Sequence, residues 1–246
     1  MKKTSQVIDD LYRVLSPYRI GDEISGCVDC VPAEDSHVLV DKPRASLSVE
    51  DLDRYAFKAM TTWGNETDFK YFLPRLLELV LLERLDRFSM PETLFGKLRY
   101  GDWTNWPGSE RRAIEHFLDA FWLAELQRPV ISQDDDSIDT AICALGQACD
   151  DVGRFLMAWS TSSDALAARQ LAQFVWINAD RVLRKNRLMN SFWDGRPGIA
   201  QVLAWLKSDA VASVIHEHSS EYTEHLKYAS AQLDAIRATV MPSKHT

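Results

Sequence analysis

Cys27-Val28-Asp29-Cys30 is the recognisable ligand pair of this sequence. Two thiolates at this spacing suit a single zinc ion, and His37 stands close enough in sequence to be a third ligand. Structural zinc sites usually complete themselves with a second pair, and none follows here. A dithiol redox motif would be expected inside a βαβ unit, a context this chain lacks. The favoured reading is therefore two reduced cysteines in a turn packed against neighbouring helices, with no cofactor. Zinc on Cys27, Cys30 and His37, in a metal-binding protein or an enzyme, is the alternative. Cys149 falls on an apolar helical stripe and reads as a small core hydrophobe.

The segment His216-Glu217-His218-Ser219-Ser220-Glu221-Tyr222-Thr223-Glu224-His225 invites comparison with zinc proteases. HExxH, however, needs its second histidine at position 220, where this chain has Ser220. His218, Glu221 and His225 can share one helical face, which reads as solvated surface. There is no GxSxG elbow, phosphate-binding loop, dinucleotide fingerprint or EF-hand loop, so no catalytic residue is assigned and the chain leans away from being an enzyme. Three aromatic loops remain: Thr62-Trp63-Gly64-Asn65, Gly101-Asp102-Trp103-Thr104-Asn105-Trp106-Pro107 and Ser191-Phe192-Trp193-Asp194-Gly195. Each precedes a predicted helix. Either their tryptophans fold back as staples on that helix, which is the favoured reading, or Trp63, Trp103, Trp106 and Trp193 contribute to a partner-binding surface. Trp103 is the one most expected to be exposed.

These residues must be held by helices. Apolar positions Leu52, Tyr55, Ala56, Ala59, Met60 and Trp63 recur with a 3.6-residue period, with Ser48 as N-cap. Further stripes are Ile114, Phe117, Leu118, Phe121, Trp122; Ile138, Ala141, Ile142, Leu145, Cys149; and Ala167, Leu171, Phe174, Val175, Asn178, Val182. Asn178 would place a polar group on the buried side and needs a hydrogen-bond partner. Helices are also expected near 5–16, 91–99, 151–160, 198–207, 209–218 and 221–240. Pro74 interrupts the stripe from Phe69 to Val80 and predicts a break or kink, because it lacks an N–H and crowds the carbonyl of Lys70. Only Ser36 to Val40 offers a possible strand. Near the C-terminus, Tyr222, Leu226, Ala229, Leu233, Ile236 and Val240 form a heptad-like seam, expected to dock on the protein's own helices. The expectation is all-α: an irregular multi-helix array or two-lobed bundle of about nine to eleven helices. It forms a single domain over 1–246, with a possible lobe boundary near 128–136.

Composition narrows the function classes. Hydrophobic residues make up 46% of the chain and charged residues 26%, an ordinary globular balance, and the length suffices for a core without staples. Against 36 Asp and Glu stand 28 Lys and Arg, a net charge of −8, which opposes general phosphate binding and argues against a nucleic-acid partner. The basic cluster Arg181, Arg184, Lys185 and Arg187 reads as a helix C-terminus. Asp9 and Asp10 fall where a secretory signal needs apolar residues. The most apolar run, Leu76 to Leu82, is far too short to span a bilayer. No membrane association is expected, and cytoplasmic localisation with reduced thiols follows.

Tyr55-Ala56-Phe57-Lys58-Ala59-Met60-Thr61-Thr62-Trp63-Gly64, followed by Asp68-Phe69-Lys70-Tyr71-Phe72-Leu73-Pro74-Arg75-Leu76-Leu77-Glu78-Leu79, resembles a group of bacterial all-helical proteins without an assigned activity. The likeness takes in Cys27 and Cys30 and the Trp106-Pro107 helix start, about the first half of the chain, and implies a helical fold but no site residue. With no catalytic constellation, the expected function is a protein-interaction module. Its most concrete form is an immunity or antitoxin-type protein whose surplus carboxylates complement a toxin with a basic surface. A generic helical scaffold is the remaining alternative.

Overall fold

The computed structural model describes residues 4–27, 29–83, 87–218 and 224–238. It is all-helical, with twelve α-helices and no strand among the described residues. In chain order they are α1 (Thr4–Val14), α2 (Ala33–Asp41), α3 (Val49–Lys58), α4 (Glu66–Glu83), α5 (Pro91–Tyr100), α6 (Gly108–Leu126), α7 (Ser137–Ala148), α8 (Gly153–Ser160), α9 (Ala165–Lys185), α10 (Gly198–Leu206), α11 (Asp209–His218) and α12 (Glu224–Ala238). The chain divides into two compact units, Met1–Phe121 and Trp122–Thr246, the division falling inside α6.

Three local expectations are corrected. Ser36 to Val40 lies within α2, not in a strand: Glu34 and Asp35 sit in the first turn, where negative charge favours a helix start. Of the break or kink expected at Pro74, the break is absent: α4 runs through it. An internal proline costs about 3 kcal/mol, but Phe69, Phe72, Leu73, Leu76, Leu77 and Val80 are all buried around it, and that burial outweighs the lost hydrogen bond. α3 begins with the expected Ser48 cap, completed as a capping box by Asp51, but ends at Lys58. The stripe continued to Trp63 is therefore not one helix, because the chain leaves the helix at Ala59 and Met60 adopts a left-handed φ of 61°.

In the first unit α1 and α3 pack on α4, and α2 and α5 pack on α3. Tyr55 sits in this core with its ring 4.8 Å from Phe72 and 5.4 Å from Trp63. A buried ionic cluster accompanies it. Lys70 lies 2.8 Å from Glu66 and 3.1 Å from Glu110, and its ammonium sits 4.2 Å from the centre of the Trp106 ring. Tyr18 donates to Glu110 at 2.7 Å. Burial works against the Lys70 charge, but the bonds to Glu66, Glu110 and Tyr18 more than offset it and raise its pKa.

The second unit is organised on Trp159, whose ring centre is 5.0 Å from that of Trp205, 5.1 Å from Trp122 and 5.6 Å from Phe174. The Trp159 indole N–H donates to Ala167 O and that of Trp122 to Phe155 O. Asn178 is fully buried and finds the partners its position demands: its amide donates to Asp139 Oδ1 at 2.8 Å and to Phe174 O, and its oxygen accepts from Met189 N. α12 lies on α9 and α11, burying Leu226, Ala229, Leu233 and Ile236, so the described part of the seam docks internally. Tyr222 and Val240, the ends of that seam, lie outside the described residues.

No single helix among the described residues is long and apolar enough to cross a membrane. α10 and α11 reach that composition only as a pair, and they are bent by 52° where they join.

Candidate functional site

The thiol pair is presented by a turn clamped onto the loop after α3. Lys58 O accepts from the backbone N–H groups of Thr61, Thr62 and Trp63, which closes that loop. Gly64 follows at a φ of 69°, where an added Cβ would lie 2.9 Å from Asp68 Oδ2. The preceding segment is stitched to this loop from both sides: Cys27 N donates to Thr62 O at 2.9 Å and Gly64 N to Ser25 O at 2.6 Å. Trp63 fastens the arrangement by inserting its indole into the core beside Tyr55.

Within the turn, Cys30 N and Val31 N both donate to Cys27 O, at 2.9 and 3.0 Å. Lys58 Nζ and Arg54 reach across from α3 to Cys30 O, at 2.5 and 3.4 Å, and Arg54 also pairs with Asp35 at 2.6 Å. Both cysteines are free; Cys27 is exposed and Cys30 half-buried. The neighbouring Cys30 thiol, and with it the backbone N–H groups of Asp29 and Cys30, favour the Cys27 thiolate and hold its pKa below the ordinary value. Cys30 moves the other way, because the neighbouring Cys27 favours its protonated form and burial adds to the effect.

A cavity of about 630 Å³ lies beside this turn. Gly26 and Val31, which flank the two cysteines in sequence, line it together with Ile24, Asp22, Glu23 and His37. Asp22 and Glu23 are exposed and take no ion-pair partner among the described residues. His37 is exposed on α2. It does not join Cys27 and Cys30 as a third ligand: among the described residues no group of three or more His, Cys, Asp or Glu side chains comes together to hold a metal.

The four aromatic candidates are interior residues. Trp63 is 1% exposed, Trp103 4%, Trp106 6% and Trp193 0%. This corrects the expectation of an exposed Trp103, and none of the four offers a ring face for a partner to cover. The physical reason is tertiary. Each indole turns inward against other elements, Trp63 against Tyr55 of α3, Trp106 against Phe69 and Lys70 of α4 and Trp193 against Gly146 of α7, and Trp106 adds a hydrogen bond from Nε1 to Gly101 O at 2.7 Å. The histidine segment contributes little that can be placed. His218 Nδ1 lies 3.0 Å from Val214 O, whereas Glu221 and the His225 side chain lie outside the described residues.

Lys97 was missed by sequence reasoning. It is 5% exposed, and Thr61 Oγ1, 3.2 Å away, accepts its one hydrogen bond among the described residues. Burial alone pushes its pKa down to about 8. The signal was present in the sequence, since Leu94, Lys97, Leu98 and Gly101 follow the i, i+3, i+4, i+7 period and place a lysine on the core-facing side of α5.

No protein-family model, curated protein or solved structure matches this chain.

Proposed function

We propose that this chain is a helical protein-interaction module that docks a basic segment of its partner in the cavity between the 22–26 segment and α2. The observation that carries the reading is the character of that cavity. Its floor is apolar, with Ile24 and Val31 buried, and its rim holds the uncompensated carboxylates of Asp22 and Glu23. An apolar floor under an acidic rim suits a peptide that alternates aliphatic and cationic side chains. Glu34 and Asp41 extend the same charge along α2, and the net charge of −8 steers a basic partner toward it. An immunity-type protein that neutralises a basic bacterial toxin is the concrete form of this proposal, and it places the protein in the cytoplasm of a bacterium.

The test uses a fluorescently labelled peptide of alternating leucine and lysine, with binding read by anisotropy at low and high salt. The expected result is binding that weakens with salt and is lost in the double variant Asp22→Lys/Glu23→Lys. Both side chains are exposed, so the variant should keep the wild-type circular dichroism and melting temperature. Equal binding by wild type and the charge-reversed variant would refute the proposal.

A further inference from the structure

We infer that Cys27 and Cys30 form a thiol–disulfide exchange site, with Cys27 as the attacking thiol and Cys30 as the resolving one. The inference stands apart from the docking proposal, because it concerns the chemistry of the turn and not the occupant of the cavity.

Three features of the geometry support it. A pair whose residues i and i+3 are joined by an N–H···O=C bond keeps its Cα atoms within about 7 Å. The Cys30 N to Cys27 O bond at 2.9 Å is of this kind, so closing a disulfide, which needs a Cα separation of about 4.4–6.8 Å, requires little or no movement of the backbone. The two thiols differ in access in the sense the chemistry requires. Cys27 is exposed to an incoming disulfide, while Cys30 is half-buried. The turn is also held from outside, by Lys58 and Arg54 on Cys30 O and by Thr62 O on Cys27 N, which keeps the two thiols in register. A metal-ligand role for the pair has no comparable support, since no third ligand joins it among the described residues.

The Cys27 thiolate attacks one sulfur of a substrate disulfide, forming a Cys27–substrate disulfide and expelling the other half as a thiolate, which takes up a proton. Cys30 loses its proton and attacks the Cys27 sulfur, forming the Cys27–Cys30 disulfide and releasing the second half as a thiol. The substrate disulfide is reduced to two thiols, and the dithiol is oxidised by two electrons. The substrate class is an accessible disulfide, and the acidic rim formed by Asp22 and Glu23 favours one that carries positive charge.

The full chain, reduced and desalted, is exposed to cystamine, a small dicationic disulfide, at neutral pH and analysed by intact and peptide mass spectrometry. Wild type is expected to become two hydrogens lighter, with the bond mapped to Cys27 and Cys30. Cys30→Ser is expected to stop at a cysteamine adduct on Cys27, and Cys27→Ser to lose that adduct without gaining a comparable one on Cys30. Circular dichroism of both serine variants, whose substitutions lie in a solvent-facing turn, verifies the fold. The inference is overturned if wild type keeps both thiols, if it accumulates separate adducts that never close, if the adduct of Cys30→Ser maps to Cys149, or if the purified chain carries stoichiometric zinc.

Discussion

Replacing Lys97 by methionine should stabilise the protein at neutral pH and flatten its response to alkali. The side chain is 5% exposed, and its pKa falls from an ordinary 10.5 to about 8 through burial alone. At about 1.4 kcal/mol for each pH unit, holding the ammonium in the fold costs about 3 kcal/mol at most. Methionine keeps the unbranched stem and removes the charge. It gives up the bond to Thr61 Oγ1, worth about 1 kcal/mol, and a long cation–π approach to Tyr100 at 5.7 Å, worth about 0.5 kcal/mol. Thr61 is exposed and its hydroxyl also donates to Lys58 O, so no orphaned group remains. The net gain is about 1–2 kcal/mol at about pH 7. Because the folded pKa is the lower one, the penalty is complete below about 8 and is relieved as pH rises toward 10.5, where the unfolded chain still holds a proton that the folded one has released. Wild type should therefore gain about 2 kcal/mol relative to the variant between about pH 7 and about pH 9.5, which erases the variant's advantage. Urea unfolding of both proteins at the two pH values measures this, and the difference between them cancels every other titrating group. Parallel pH profiles, or a variant weaker than wild type at neutral pH, would refute the reasoning.

Two further substitutions probe the second unit. Gly146→Ala, which on an open helix face would stabilise by about 1 kcal/mol, should instead destabilise by about 1–3 kcal/mol. The new Cβ would lie 2.4 Å from a ring carbon of the fully buried Trp193, and urea midpoints with tryptophan fluorescence report the outcome; a stabilised variant would contradict the packing described. Asn178→Ala should cost about 2–4 kcal/mol, because it removes a buried bond to the Asp139 carboxylate and strips Met189 N of its acceptor. A loss below about 1 kcal/mol by the same assay would show that the polar link is dispensable.

What the sequence revealed and what it concealed divide along a physical line. The stripe from Ala167 to Val182 needs only the 3.6-residue period to be read, and the demand that Asn178 find a partner follows from burying an amide anywhere. The partner itself, Asp139, stands 39 residues away, and no local pattern announces it. The continuity of α4 through Pro74 was hidden because it depends on tertiary burial, whereas the helix over Ser36 to Val40 has a local signal in Glu34 and Asp35. Local propensity is worth at most about 3 kcal/mol even for proline, and a helix buried along most of its length, as α4 is, exceeds that. The tryptophan loops were legible as helix introductions, but whether an indole turns inward depends on a pocket made by other elements, such as Tyr55 for Trp63 and the space above Gly146 for Trp193.

The thiol pair shows the limit most clearly. Its spacing names two chemistries, metal ligation and dithiol exchange, and sequence alone weighs them by counting further ligands. The fold adds a different kind of information. It sends His37 to the wall of the cavity, and it brings Lys58 and Arg54, 28 and 24 residues from Cys30, onto the Cys30 carbonyl. Both cations hydrogen-bond the Cys30 carbonyl and so fix the turn; Arg54 also pairs with Asp35. The Cys27 thiolate is stabilised by the neighbouring Cys30 thiol and by the N–H groups of its own turn. On the exchange reading proposed above, that stabilisation is lost once the sulfur is bonded to Cys30, which weights the pair toward its reduced dithiol.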